Sequence, residues 1–134
     1  MKSGKYQSAS PEEDSFSIRS VLSSNELFKT LPEEEINHLE GYFNVREIDS
    51  GQTLYRQKNE GNTLFILIEG LLESDTYFES AGEMKDTETI ESGQHFGEEC
   101  ILGPNHRSST VRAVTDCKVV EVGAQKIMEI ANRN

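Results

Sequence analysis

The residues able to do chemistry concentrate between Phe96 and Val111, in the run Phe96-Gly97-Glu98-Glu99-Cys100-Ile101-Leu102-Gly103-Pro104-Asn105-His106-Arg107-Ser108-Ser109-Thr110-Val111. Arg107 offers a planar set of donors and a permanent positive charge, which suits it to holding an anion. Glu98, when ionised, has acceptors only. Gly97 has no side chain, so the backbone there can approach a bound group closely. A short helical turn from about Glu99 to Leu102 would aim unsatisfied N–H groups, chiefly that of Cys100, at such an anion. Ser108, Ser109 and Thr110 have no His-Asp arrangement near them and are not credible nucleophiles. Taken alone, Glu98 and Arg107 read equally as an ordinary ion pair on a loop.

Phe96-Gly97-Glu98 is a weak signal by itself, but Arg107-Ser108-Ser109-Thr110-Val111 follows it in register. Together they resemble the phosphate-binding cassette of the cyclic nucleotide-binding domain family. That cassette runs Phe-Gly-Glu, two or three small or apolar residues, a variable stretch, Arg, small or hydroxyl residues and a β-branched strand. Upstream, Leu27-Phe28, Leu31 and Ile36 resemble the family's helical prelude. Gly51, Gly61, Asn62, Phe65, Gly70 and Gly93 fall where the family places its turn glycines and its Gly-Asx-x-Phe/Tyr strand, so the likeness covers about residues 18–134.

The resemblance implies a regulatory module that binds cAMP or cGMP, catalyses nothing and signals to an output domain outside these residues. The implied site comprises Phe96, Gly97, Glu98, Glu99, Cys100, Ile101, Arg107, Ser108 and Ser109. In it Arg107 and the Cys100 N–H would hold the cyclic phosphate, and Glu98 would accept the ribose 2′-OH proton. Arg107→Glu is expected to abolish binding and leave the fold intact, on the view that the charge serves only the ligand.

Three residues depart from the family pattern. Glu99 stands where an apolar residue is usual, so either its carboxylate points to solvent or affinity suffers. Ser108 replaces the Ala common in cAMP-type sites and the Thr common in cGMP-type sites. Glu88 lies eight residues before Phe96, where some cGMP-type domains carry an arginine for the guanine edge. On balance cAMP is favoured over cGMP. The alternative is a degenerate domain that keeps the fold and serves as a protein-interaction module without nucleotide.

Other chemistries find little support. His38, His95 and His106 include no HxH pair, so neither a metal centre nor a cofactor is expected. Cys100 and Cys117 belong to no CxxC pair and read as core fillers of a protein in a reducing cytosol.

The elements that must position the cassette are short. Ser10-Pro11-Glu12-Glu13 is a helix start, and that helix is expected to reach about Ser23 after a mobile tail over residues 1–9. A turn through Asn25 to Phe28 follows. Glu33-Glu34-Glu35 opens a second helix whose Ile36, Leu39, Tyr42 and Phe43 share a face. Strands are expected over 45–48, 53–57, 63–69, 71–78, 87–91, 110–115 and 118–122, cut by glycine turns, with a hinge helix over 124–132. The apolar run Leu64 to Ile68 lacks alternation, which suggests a strand covered on both faces. The fold class is therefore mainly β, a β-roll or jelly-roll of about eight short antiparallel strands with flanking helices, spanning 10–134. Ile127, Met128 and Ile130 are read as hinge packing, with the family's C-terminal lid helix absent.

Composition sets the bounds. The 134 residues suffice for one domain with its own core. Thirteen Lys and Arg against 24 Asp and Glu give a formal net charge of −11, which argues against nucleic acid as a partner. No apolar run is long enough to span a bilayer, so a cytoplasmic module without direct membrane contact is expected, possible also as the cytoplasmic part of a membrane protein.

Overall fold

The computed structural model describes residues 11–78, 85–99, 103 and 105–133. The expected tail and Ser10 of the expected helix start lie outside the described residues. Helices α1 (Pro11–Ser24) and α2 (Glu33–Glu40) precede eight strands, and α3 (Ala124–Arg133) follows them. The strands are β1 (Asn44–Ile48), β2 (Thr53–Tyr55), β3 (Thr63–Glu69), β4 (Leu71–Tyr77), β5 (Lys85–Glu91), β6 (His95–Phe96), β7 (Thr110–Ala113) and β8 (Cys117–Gly123). They form two antiparallel four-stranded sheets, ordered β1-β8-β3-β6 and β2-β7-β4-β5. This is the mainly β roll with flanking helices expected from the sequence.

The unalternating run in β3 explains the layering. Successive side chains of a strand point to opposite faces, so Leu64, Ile66 and Ile68 meet the helices, where Leu22, Phe28, Leu39 and Ile130 close one core cluster. Phe65 and Leu67 turn the other way, into the space between the sheets, with Leu72, Ile90, Phe96, Val111 and Val119. Val120 and Val122 of β8 join the first cluster while Cys117 and Val119 join the second, so these two strands form a wall shared by both cores. Burying each such large side chain contributes about 1.5–3 kcal/mol. The Cys117 thiol donates to the Leu71 carbonyl at 3.3 Å, and burial pushes its pKa up. It fills core, as expected, whereas Cys100 lies outside the described residues.

Several boundaries differ from expectation for local reasons. Strand β2 stops at Tyr55 because the Gln57 N–H donates to Thr110 Oγ1 and its side-chain amide clips both backbone groups of Tyr77. Strand β7 stops at Ala113, where the Val114 N–H turns to the Leu71 carbonyl. The two-residue β6 was not expected, being too short to show a period, and it pairs Phe96 with Phe65. Tyr42 is exposed because α2 ends at Glu40, two residues before the tyrosine, so it does not continue the face of the buried Ile36 and Leu39. In α3, Ile130 is buried and Ile127 packs beside it, but Met128 faces solvent, which corrects its expected packing role. Arg133 anchors α3 to α2 through a forked pair with Glu35, at 2.8 and 3.2 Å. Among the described residues, no helix is long and apolar enough to cross a membrane.

The outer face of the β4-β5-β7 sheet carries a charge cluster around Asp75, which is only 2% exposed. Its carboxylate accepts from Thr87 Oγ1 at 2.6 Å and faces Lys85 and Arg112, the latter also paired with Glu73. The Thr87 hydrogen bond, helped by the two cations and opposed by burial, holds the Asp75 pKa below its ordinary value of 3.8. A depressed carboxylate adds stability that is present above the unfolded pKa and is lost as pH falls through the folded one. Asp75→Asn should therefore lower the melting temperature at neutral pH, by an amount equivalent to about 1–3 kcal/mol since the cations are partly solvated. The gap between the two proteins should close as pH falls below about 4, and thermal denaturation across that range checks it.

Candidate functional site

A cavity of about 660 Å³ opens where the Phe96–Glu99 segment faces β4 and β5. Strand β4 explains its polar wall. Leu72 points into the core, so Ser74 and Thr76 point the same way and line the cavity, while Glu73 and Asp75 face outward. Opposite Ser74 in register stands Glu88, and Ile90 adds an apolar patch. Ser74 Oγ donates to Ser109 Oγ at 2.7 Å, which fixes the Ser108-Ser109 segment to this wall. Such a volume lies within the 300–1,000 Å³ usual for small-molecule sites.

Arg107 is built into the fold behind this cavity. Its N–H donates to the Asn59 carbonyl and its own carbonyl accepts from the Lys58 N–H, both at 2.7 Å, so the loop is zipped to the turn between β2 and β3. The guanidinium then runs under Gly97, with NH1 donating to the carbonyls of Thr63 at 3.0 Å and Gly97 at 3.4 Å, and NH2 to Thr63 Oγ1 at 2.9 Å. It stacks over the Tyr55 ring at 4.4 Å and near Phe65 at 5.3 Å, a geometry that adds attraction in a desolvated setting. Tyr55, Phe65 and Phe96 form a contiguous aromatic floor, the last two stacked at 5.3 Å. Two glycines make the room. A Cβ on Gly61 would fall 2.1 Å from Arg107 Nε, and one on Gly97 would fall 2.8 Å from NH1. Gly97 also has φ +83°, a conformation that disfavours other residues.

Arg107 is 5% exposed. The expectation that it serves only a ligand is therefore corrected: it ties β3, the Gly97 turn and the aromatic floor together, and Arg107→Glu would bury an unpaired carboxylate among acceptors and rings.

The remaining sequence-predicted residues fall into three groups. Phe96, Gly97, Glu98, Glu99, Ser108 and Ser109 line one cavity together. Cys100 and Ile101, and with them the helical turn expected there, lie outside the described residues; the Glu99 carbonyl accepts from the Gly103 N–H at 3.1 Å. Glu98 is exposed and has no hydrogen-bond or ion-pair partner among the described residues, so it does not form the loop ion pair that its spacing from Arg107 allowed. Glu99 neither points freely to solvent nor packs in the core: its Oε2 accepts the Ser108 N–H at 3.3 Å. Sequence reasoning missed Tyr55, Thr63 and Ser74. Thr63 and Phe65 sit in the Gly61-Asn62-Thr63-Leu64-Phe65 run, a signal that had been read for the turn and strand alone.

The cavity is acidic. Glu26, Glu88, Glu98 and Glu99 line it and, among the described residues, no Lys or Arg does, while the Arg107 guanidinium lies behind Gly97. Among the described residues no group of three or more His, Cys, Asp or Glu side chains is placed to hold a metal ion.

Comparison with known proteins places this geometry. The family model described as cyclic nucleotide-binding domain matches residues 45–134. Human cGMP-dependent protein kinase 2 is 30% identical over 95 residues, 71% of this chain and 12% of the kinase, so the chain spans only about an eighth of that relative. The cAMP complex of the regulatory domain of Toxoplasma gondii PKA superposes with a TM-score of 0.81 at 23% identity, covering 91% of this chain and 46% of that one. The sensor domain of the transcriptional regulator DNR from Pseudomonas aeruginosa gives 0.80 at 17% identity, covering 91% and 81%. These last two likenesses establish the fold.

The Gly61–Arg107 contact yields a test. Gly61 has no positive φ, so Gly61→Ala leaves the backbone unstrained and acts only by evicting the guanidinium. It should destabilise the protein by about 1–3 kcal/mol, as overpacking does. In an Arg107→Ala background the same change should cost much less, which a double-mutant cycle in denaturant would read.

Proposed function

The chain belongs to the cyclic nucleotide-binding domain family, and from that membership we propose that its cavity binds a cyclic purine nucleotide, with cAMP favoured over cGMP, and relays occupancy to an output domain outside these residues. The observation that carries the reading is the convergence of Phe96–Glu99 and Ser108-Ser109 on one cavity, with the Arg107 guanidinium directly behind Gly97.

In this reading the cyclic phosphate sits against the Gly97 turn and the Ser108 N–H, close to the Arg107 charge. Arg107 neutralises the ligand without becoming solvated, and its fork is already fixed by Thr63, so little ordering is needed on binding. Glu98, an exposed acceptor without a partner among the described residues, takes the 2′-OH proton of the ribose. Cys100 and Ile101 complete the phosphate side of this proposed site. The purine extends toward the hydroxyls of Ser74 and Thr76 and the carboxylate of Glu88. Adenine presents an N6 amino donor beside N7, where guanine presents the O6 acceptor. Glu88 can pair with the first and repels the second, which supports cAMP. The output is of the kind carried by larger kinases or regulators, as the small share of the matched kinase that the chain covers suggests.

One observation favours a second reading, a fold retained as an interaction module without nucleotide: four carboxylates line the cavity and would repel an anion.

Melting temperature measured with cAMP, cGMP and 5′-AMP separates the two. A ligand that binds only the native state stabilises it by about 2.7 kcal/mol at a hundredfold excess over Kd, a rise of several degrees for a domain of this size. Both cyclic nucleotides should raise it, cAMP more, and 5′-AMP far less. No shift at about millimolar ligand would favour the interaction module. Glu88→Arg should move the preference toward cGMP by about tenfold, the worth of one good pairing to a base edge, as read by competition of the two nucleotides.

A further inference from the structure

We propose that Glu99 is a built-in competitor of the ligand: in the free protein its carboxylate occupies the anion seat at the Ser108 N–H, and a phosphate must displace it to bind. This rests on the cyclic nucleotide reading and concerns how that site is regulated.

Four observations carry it. Glu99 Oε2 accepts the Ser108 N–H at 3.3 Å, and both residues line the cavity. Ser108 directly follows Arg107, so the occupied N–H belongs to the peptide that joins it to the residue whose guanidinium lies behind Gly97. The backbone of Glu99 is held, since its carbonyl accepts from Gly103, while the Ser108-Ser109 segment is held to Ser74. The two ends of the contact are thus positioned independently of it. Finally, the contact is a carboxylate oxygen on an amide hydrogen, the same chemistry that a phosphate oxygen would offer.

Its geometry suits displacement. At 3.3 Å the hydrogen bond is longer than the usual N–H···O range and so is readily exchanged. A phosphate arriving there gains the N–H and the Arg107 charge, but must send the Glu99 carboxylate back to water. Apparent affinity falls by the fraction of molecules in which the seat is taken, as for any site whose competent state is only partly populated. The residue therefore sets the ligand concentration at which the domain responds, without touching the ligand. This differs from simple charge repulsion, which would act through space whether or not the carboxylate held the N–H.

The experiment measures cAMP affinity by calorimetry for the wild type, Glu99→Leu and Glu99→Gln, at low salt and at about 0.5 M salt, where long-range charge effects are screened. Amide NMR of Ser108 is recorded on the same proteins. Glu99→Leu should bind about three- to tenfold tighter, a gain set by one lost hydrogen bond and one lost charge. Glu99→Gln should fall between, because its carbonyl can still accept the N–H. The gap should persist at high salt. In the free proteins the Ser108 amide should shift between wild type and Glu99→Leu, and the two should converge when cAMP saturates the site. Equal affinities for all three proteins would overturn this inference while leaving nucleotide binding intact. A gap that vanishes in salt, or a Ser108 amide indifferent to Glu99, would overturn it in favour of plain repulsion. Absence of binding by all three would overturn the nucleotide reading and the competitor with it.

Discussion

A buried guanidinium organises this molecule. Arg107 lies between two glycines and two aromatic rings, and its donors are spent on the Thr63 carbonyl, the Thr63 hydroxyl and the Gly97 carbonyl. Burying a charge is costly unless its hydrogen bonds are met, so its neighbours answer to it. Gly61 and Gly97 can carry no side chain, Thr63 presents two acceptors, and Tyr55 and Phe65 lie flat against it. The loop from Asn105 to Ser109 is pinned to the turn at Lys58–Gly61 by the backbone hydrogen bonds on either side. The cavity takes its shape from that pinning.

The two-core layering gives this arrangement its rigidity. Strands β3 and β8 are buried on both faces, so Thr63 at the start of β3 and the Gly97 turn after β6 are attached to a wall that cannot shift without disturbing both clusters. Helices α1, α2 and α3 pack on the far side of that wall, α2 tied to α3 by the Glu35–Arg133 fork and to α1 by the Arg19–Glu40 pair. A change in the cavity therefore has a short physical route to the helices through β3.

Charge works against the site as well as for it. The cavity wall is acidic among the described residues, and the Arg107 guanidinium is withdrawn behind Gly97. Withdrawal keeps Arg107 dry and ordered, so its charge is screened less than on an exposed side chain. The Glu99 carboxylate on the Ser108 N–H shows that this amide can take an anionic oxygen.

Much of this was legible in the sequence. The unalternating Leu64 to Ile68 run foretold a strand covered on both faces, because an interior wall needs apolar side chains at both parities. The Phe96-Gly97-Glu98 to Arg107-Ser108-Ser109 register brought together residues that do line one cavity, because short loops between fixed strands leave little freedom in where their side chains fall. What the tertiary structure alone decided were contacts between segments distant in the chain. Tyr55 and Arg107 meet because β2 pairs with β7, and Ser74 reaches Ser109 because β4 does too. Tyr42 and Met128 carried the apolar pattern of buried residues, yet helix ends and helix orientation left them in solvent. Arg107 was recognised for its charge, but its burial follows from the empty volume over Gly61 and Gly97. Neither glycine's emptiness has a meaning until the loop carrying Arg107 has been folded into place.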